Sequence, residues 1–176
     1  MAVRKIYKYG EEILKRSLKK VDFDGMRKEL PVVIKDMFDT LDAYQGAGLA
    51  ASQVGLDMRL AVIKIPADDD SIISAVLINP VMIEKSGTMF EEEGCLSFPG
   101  LFQKVKRFSK IKVHCLNEKG LPVEINASGF FAKAVQHEMD HLDGITFVDR
   151  LPLMARLKVK PALARIIRTG TAETDE

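Results

Sequence analysis

Along residues 30–45 the apolar positions Val33, Ile34, Met37, Phe38 and Leu41 recur three and four apart, the spacing of a helix that buries one stripe. Pro31 suits the first turn, which sets the start near Leu30, and Gly46 is the stop signal after Gln45. A shorter helical segment precedes it over residues 11–17. The pattern then turns β-like over 59–65, 75–79 and 81–85, punctuated by Pro80 and Gly87, with Asp68, Asp69, Asp70 and Ser71 as an exposed turn. Residues 110–116 alternate, with Ile111, Val113 and Cys115 on one face and Lys112 and His114 on the other. A turn over 117–120 leads into 121–125, a hairpin.

The next helix runs over residues 128–144, with Ser128 as N-cap and Gly144 just past its end. At about 100° per residue, Lys133, Gln136, Asp140 and Asp143 form a polar stripe, read as solvated, while Phe131, Val135 and Leu142 lie opposite. A basic helical tail over about 150–168 closes the chain, with Leu153, Leu157, Ile166 and Ile167 expected to anchor it, Pro161 expected to break or restart it and the residues after 169 expected to fray. Strands first and a core helix late, without βαβ alternation, predict an α+β fold: antiparallel strands around a central helix, plus a C-terminal helix.

Composition narrows the classes. A chain of 176 residues is read as a single domain able to bury its own core, and a net charge of +1 gives no reason to expect nucleic-acid binding by the molecule as a whole. Two cysteines, Cys95 and Cys115, make a disulfide framework improbable and point to a reducing compartment. No apolar run reaches the ~18 residues of a membrane span, and the first residues lack the apolar core of a secretory signal.

Chemistry concentrates in the 128–144 helix. His137 and His141 are four apart and share a face, so both imidazoles can reach one metal ion, with Glu138 beside it to move protons. Glu138 falls among the apolar positions, where desolvation raises a carboxyl pKa towards the range useful for acid–base work. The competing reading is a partly buried histidine pair on an amphipathic helix. Two histidines do not close a site. His114 and Cys115 are candidates for a third ligand, but the alternation puts one outside and the other in the core. Cys95, within Glu93-Gly94-Cys95-Leu96-Ser97, is the better choice, although a lone cysteine is also a common apolar filler. The small residues of Gly46-Ala47-Gly48-Leu49-Ala50-Ala51-Ser52-Gln53 let a backbone approach a ligand, and Gln53 can offer an amide to an oxyanion; the alternative is a helix end running into a packed strand.

Taken together, GAGLAASQ at 46–53, EGCLS at 93–97 and QHEMDHLDG at 136–144 resemble the three motifs of the peptide deformylases, in order and in spacing, and the likeness extends to about Arg150. The resemblance implies that Cys95, His137 and His141 bind one divalent metal, usually Fe(II), with Zn(II), Ni(II) or Co(II) as substitutes. It implies that Glu138 is the general acid/base and that Gln53 and the Leu96 N–H bind the oxyanion. The substrate would be the N-formylmethionyl end of a nascent protein, in the bacterial cytoplasm. Gly46, Gly48 and Gly94 would admit its backbone, and Ala47, Phe130 and Ala134 would line the methionine pocket. The first motif departs from the family's usual pattern at Ala47, often a branched residue, and at Ser52, often a proline. Two rivals are an HExxH metallopeptidase, disfavoured by the upstream cysteine, and a structural metal module, disfavoured by the adjacent glutamate. The cations of the tail, from Arg150 to Arg168, read first as the solvated face of an amphipathic helix; the sharper reading, which the resemblance implies, is contact with ribosomal RNA.

Overall fold

The computed structural model describes residues 2–67 and 71–173. After a 3₁₀ turn at Glu12–Lys15, in place of the expected longer helical segment, helix α1 spans Leu30–Ala43 and buries Leu30, Ile34, Met37 and Leu41. Pro31 sits in its first turn as the missing N–H requires. The left-handed residue that ends it is Gln45 (φ 53°), and Gly46 returns its N–H to the Leu41 carbonyl at 3.0 Å.

Strands β1 (Gly48–Ala50), β2 (Leu60–Pro66), β3 (Ile72–Ser86), β6 (Lys110–Leu116) and β7 (Pro122–Ser128) form one antiparallel sheet in the order β1-β2-β3-β6-β7. A separate two-stranded ribbon pairs β4 (Met89–Glu93) with β5 (Gln103–Arg107). The runs expected on either side of Pro80 are one strand. Asn79 takes a left-handed conformation (φ 53°) and the register shifts between Ile78 and Val81, so the proline falls in a bulge where the ladder does not require its N–H. The hairpin of β6 and β7 follows the alternation, with Ile111, Val113 and Cys115 buried. The expected turn at Asp68, Asp69 and Asp70 lies outside the described residues; Ser71 beside it is exposed.

Helix α2 (Gly129–Leu142) packs across β1, β2, β6 and β7 and is buried along its whole length from Ala132 to Leu142. Helix α3 (Leu153–Thr169) runs unbroken through Pro161, whose ring lies on the exposed side. Its anchors are Val159, Leu163 and Ile166, spaced as one helical stripe; of the expected anchors only Ile166 is buried, while Leu153, Leu157 and Ile167 face outward. They close a second apolar cluster with Phe98, Leu101, Val105, Phe147, Val148 and Leu151. Residues 170–173 are not frayed. Gly170 caps α3 in the left-handed region (φ 83°), the Ala172 N–H bonds the Pro99 carbonyl at 2.8 Å, and Arg165 Nη1 donates to the Ala172 carbonyl at 2.6 Å.

Residues 2–18 strap the molecule. The Tyr7 N–H bonds the Gln53 carbonyl (2.8 Å), that of Tyr9 the Ser97 carbonyl (2.9 Å) and that of Leu18 the Leu142 carbonyl (2.9 Å). One N-terminal run is thereby tied to all three motif-bearing segments.

Candidate active site

The three segments meet at one end of α2. Cys95 Sγ lies 3.3 Å from His141 Nε2, and the rings of His137 and His141 stand edge-to-face with centroids 5.0 Å apart. The ligand atoms of Cys95, His137 and His141 all fall within 4.8 Å of one another. Both histidines are buried. Burial, and then the charge of His137, hold His141 well below the usual histidine range, so its imidazole stays neutral as a metal ligand must. For His137 burial again opposes the charged form, but the Cys95 sulfur and the Glu93 carboxylate outweigh it and raise the pKa well above the ordinary value. A thiol between two buried imidazoles is a donor set that fits a borderline divalent ion. His114 is exposed on β6, where it meets Glu124 at 3.1 Å, and Cys115 is in the core, so neither joins the group.

Glu138 is buried beside this triad, and its Oε2 has no hydrogen-bond partner among the described residues. Burial raises its carboxyl to about 7; the negative charges of Glu93 and Asp140 add to the rise, and the positive charges of His137 and Arg107 oppose it. Gly48 explains how the carboxylate fits: a Cβ there would lie 2.8 Å from Glu138 Cδ and 2.9 Å from Cγ. Gln53, in a 3₁₀ turn over Ala51–Val54, is fixed by the Ala50 N–H on its Oε1 (2.8 Å), which aims its Nε2 at Cys95 Sγ (3.4 Å) and Ser97 Oγ (3.2 Å). The Leu96 N–H donates to no acceptor among the described residues. The site opens into a cleft of about 850 Å³, whose walls include Gly46, Ala47, Gly48, Gly94, Phe130 and Ala134. Ala134 is buried, whereas Phe130 stands at the mouth.

The polar stripe of α2 is not solvated. Among its members only Asp143 is exposed. Lys133 Nζ bonds Glu91 (3.0 Å) and the Glu92 carbonyl (3.1 Å), and the Gln136 amide bonds Phe108 in both directions (3.0 and 2.8 Å). Asp140 takes Arg107 Nη1 at 2.5 Å and Arg150 at 2.5 and 3.1 Å. Arg107 also grips Glu93 in a two-pronged pair (2.7 and 2.9 Å), and Glu93 Oε2 accepts from His137 Nδ1 at 3.0 Å. Glu93 thus sets the orientation of the His137 ring and leaves its Nε2 for the triad. Sequence reasoning did not find Glu93 and Arg107 as a pair. The available signal was an acidic run, Glu91 to Glu93, followed by a basic one, Lys104 to Arg107.

A family model described as polypeptide deformylase matches residues 3–157. The chain belongs to the peptide deformylase family. A relative from Elusimicrobium minutum named peptide deformylase is 49% identical over 171 residues, covering 94% of this chain and 97% of that one. Another from Aquifex aeolicus is 51% identical over 150 residues, covering 85% and 88%. The crystal structure of a peptide deformylase from Legionella pneumophila superposes with a TM-score of 0.85 at 38% identity, covering 99% of this chain and all of that one. The chain is therefore a metal-dependent hydrolase of the kind that removes the N-formyl group from nascent peptides, and the α+β architecture is the family's. Membership also sets aside the metallopeptidase and structural-module readings.

Proposed function

We propose that the whole described chain acts as one catalytic unit on N-formylmethionyl peptide ends, with Cys95, His137 and His141 holding a single Fe(II), for which Zn(II), Ni(II) or Co(II) can substitute. The observation that carries this assignment is a buried, unpartnered Glu138 carboxyl, raised to about 7, next to a Cys/His/His group. The chemistry supplied by a divalent ion at that position is Lewis acidity and activation of water. Glu138 takes a proton from the attacking water and returns it to the leaving amine, so formate and a free N-terminus leave the cleft. Gln53 Nε2 and the Leu96 N–H donate to the oxyanion that forms on the formyl group. Ala47, Phe130 and Ala134 receive the methionine side chain. Gly46, Gly48 and Gly94 leave room for an extended substrate backbone to pair along the cleft.

The setting proposed is the bacterial cytoplasm, where formylated chains emerge; among the described residues no helix is long and apolar enough to cross a membrane. The cations of α3 would meet ribosomal phosphates there; removal of residues from Arg156 onward is expected to abolish salt-sensitive ribosome co-sedimentation while a short formyl peptide is still turned over, and loss of both would mean only that α3 holds the fold together. The reaction is tested by metal analysis and an anaerobic assay on a formyl-Met peptide and its unformylated twin. Formate release from the first alone is expected. Internal cleavage of the twin would favour a metallopeptidase, and bound metal without turnover a structural site.

A further inference from the structure

Phe102 follows the buried Leu101 and directly precedes β5, yet the residue is 58% exposed on the wall of the cleft. Its position is fixed by Gly94. A Cβ on Gly94 would lie 2.7 Å from Phe102 Cδ1 and closer still to Cε1. Gly94 is not among the left-handed glycines, so the lack of a side chain there makes room for the ring and does not serve a special backbone conformation. The ring is thus laid against the start of Gly94-Cys95-Leu96, the segment that carries a candidate metal ligand and a free N–H. It makes no aromatic pair or cation contact among the described residues, unlike Phe130 at the same mouth, whose ring lies 4.7 Å from Lys133 Nζ. An exposed ring braced on a substrate-lining backbone has apolar area to bury only when a ligand arrives.

We propose that Phe102 is a specificity residue: its ring is the platform for an aromatic or large apolar side chain at one of the two substrate positions that follow the formylmethionine. The assignment rests on the deformylase reading. An extended chain advances about 3.3 Å per residue, so a peptide whose formyl group sits at Cys95, His137 and His141 passes the ring within its next two residues.

The test uses the metal-loaded full chain and three substrates, formyl-Met-Ala-Ala, formyl-Met-Phe-Ala and formyl-Met-Ala-Phe. The wild type is expected to favour at least one phenylalanine peptide by about 3- to 10-fold in kcat/KM, within the worth of an aromatic contact. Phe102→Ala is expected to lose that preference mainly through KM while keeping its rate on the alanine peptide, and Phe102→Leu to keep part of it. A wild type indifferent to the three peptides overturns the proposal. So does a Phe102→Ala variant weakened equally on all of them, since the ring would then only brace Gly94. A wild type inert towards every formyl peptide would instead remove the deformylase reading, and this inference with it.

Discussion

Replacing Arg107 by methionine is expected to destabilise the protein by about 3–5 kcal/mol, the cost of breaking a buried ion pair and stranding its partners. The arginine side chain is 4% exposed and its carboxylate partners Glu93 and Asp140 are nearly as buried. Asp140 keeps Arg150, with Nη2 at 2.5 Å, which places the loss towards the lower end; among the described residues Glu93 keeps only His137. At about 2–4 °C per kcal/mol for a chain of this size, Tm should fall by roughly 6–20 °C. The loss should also depend on pH. In the wild type burial alone would raise the Glu93 carboxyl, but hydrogen bonds from Arg107 and His137 outweigh it and hold it at about 2, against an ordinary value of 4.5. A depressed folded pKa contributes stability that is present above the unfolded value and is lost as pH falls from about 4.5 towards 2. Without Arg107 the burial effect dominates and the carboxyl rises, so the variant gains relative stability as pH falls and the difference from wild type shrinks. Thermal melts of both proteins at pH 8 and pH 4, with Glu93→Gln alone and combined with Arg107→Met, measure each part. A drop below about 3 °C, an equal drop at both pH values, or strict additivity in the double variant would refute the reasoning.

Glu138→Gln should retain the metal and lose nearly all turnover, because the carboxyl lies beside the ligand group without belonging to it; a wild-type kcat would show that another group carries the proton. Gln53→Ala should lower kcat by about 10²–10³-fold, the usual loss for one oxyanion donor, whereas a change confined to KM would assign the amide to ground-state binding. Ser52→Ala should stabilise the fold by roughly 1 kcal/mol, since the Ser52 hydroxyl is fully buried with no partner among the described residues; a lower melting temperature would mean that Oγ is satisfied in solution.

The elements legible in the sequence are those whose burial is apolar. The α1 stripe, the alternation of β6 and the span of α2 could all be read from which positions are hydrophobic. The ribbon of β4 and β5 could not, because Val105 is its lone buried apolar residue and its other buried positions, Glu93 and Arg107, are charged. A pattern reading sends charges outward, so it loses a strand whose inward-facing groups satisfy one another. The same error made the stripe of α2 solvated: Lys133 and Asp140 are buried because the charges that meet them come from β4, β5 and Arg150. The metal-ligand candidates were easier, since thiol, imidazole and carboxylate at fixed spacing announce chemistry wherever they fold. Their supporting residues carry no such mark. In α3 the anchors were misjudged because a continuous helix through Pro161 shifts which residues share a face.

The N-terminal strap has a consequence for how the protein is made. Residues 7, 9 and 18 reach forward to residues 53, 97 and 142, so the strap closes in stages and its last bond must wait until most of the chain has been synthesised. Contacts this distant in sequence are slow to form, since the loop entropy is lost before any bond rewards it. The strap holds the same three segments that converge on Cys95, His137 and His141. Acquisition of the metal-binding geometry is therefore expected to coincide with the last folding step, and a chain released before α2 emerges would lack both the final strap bond and the site.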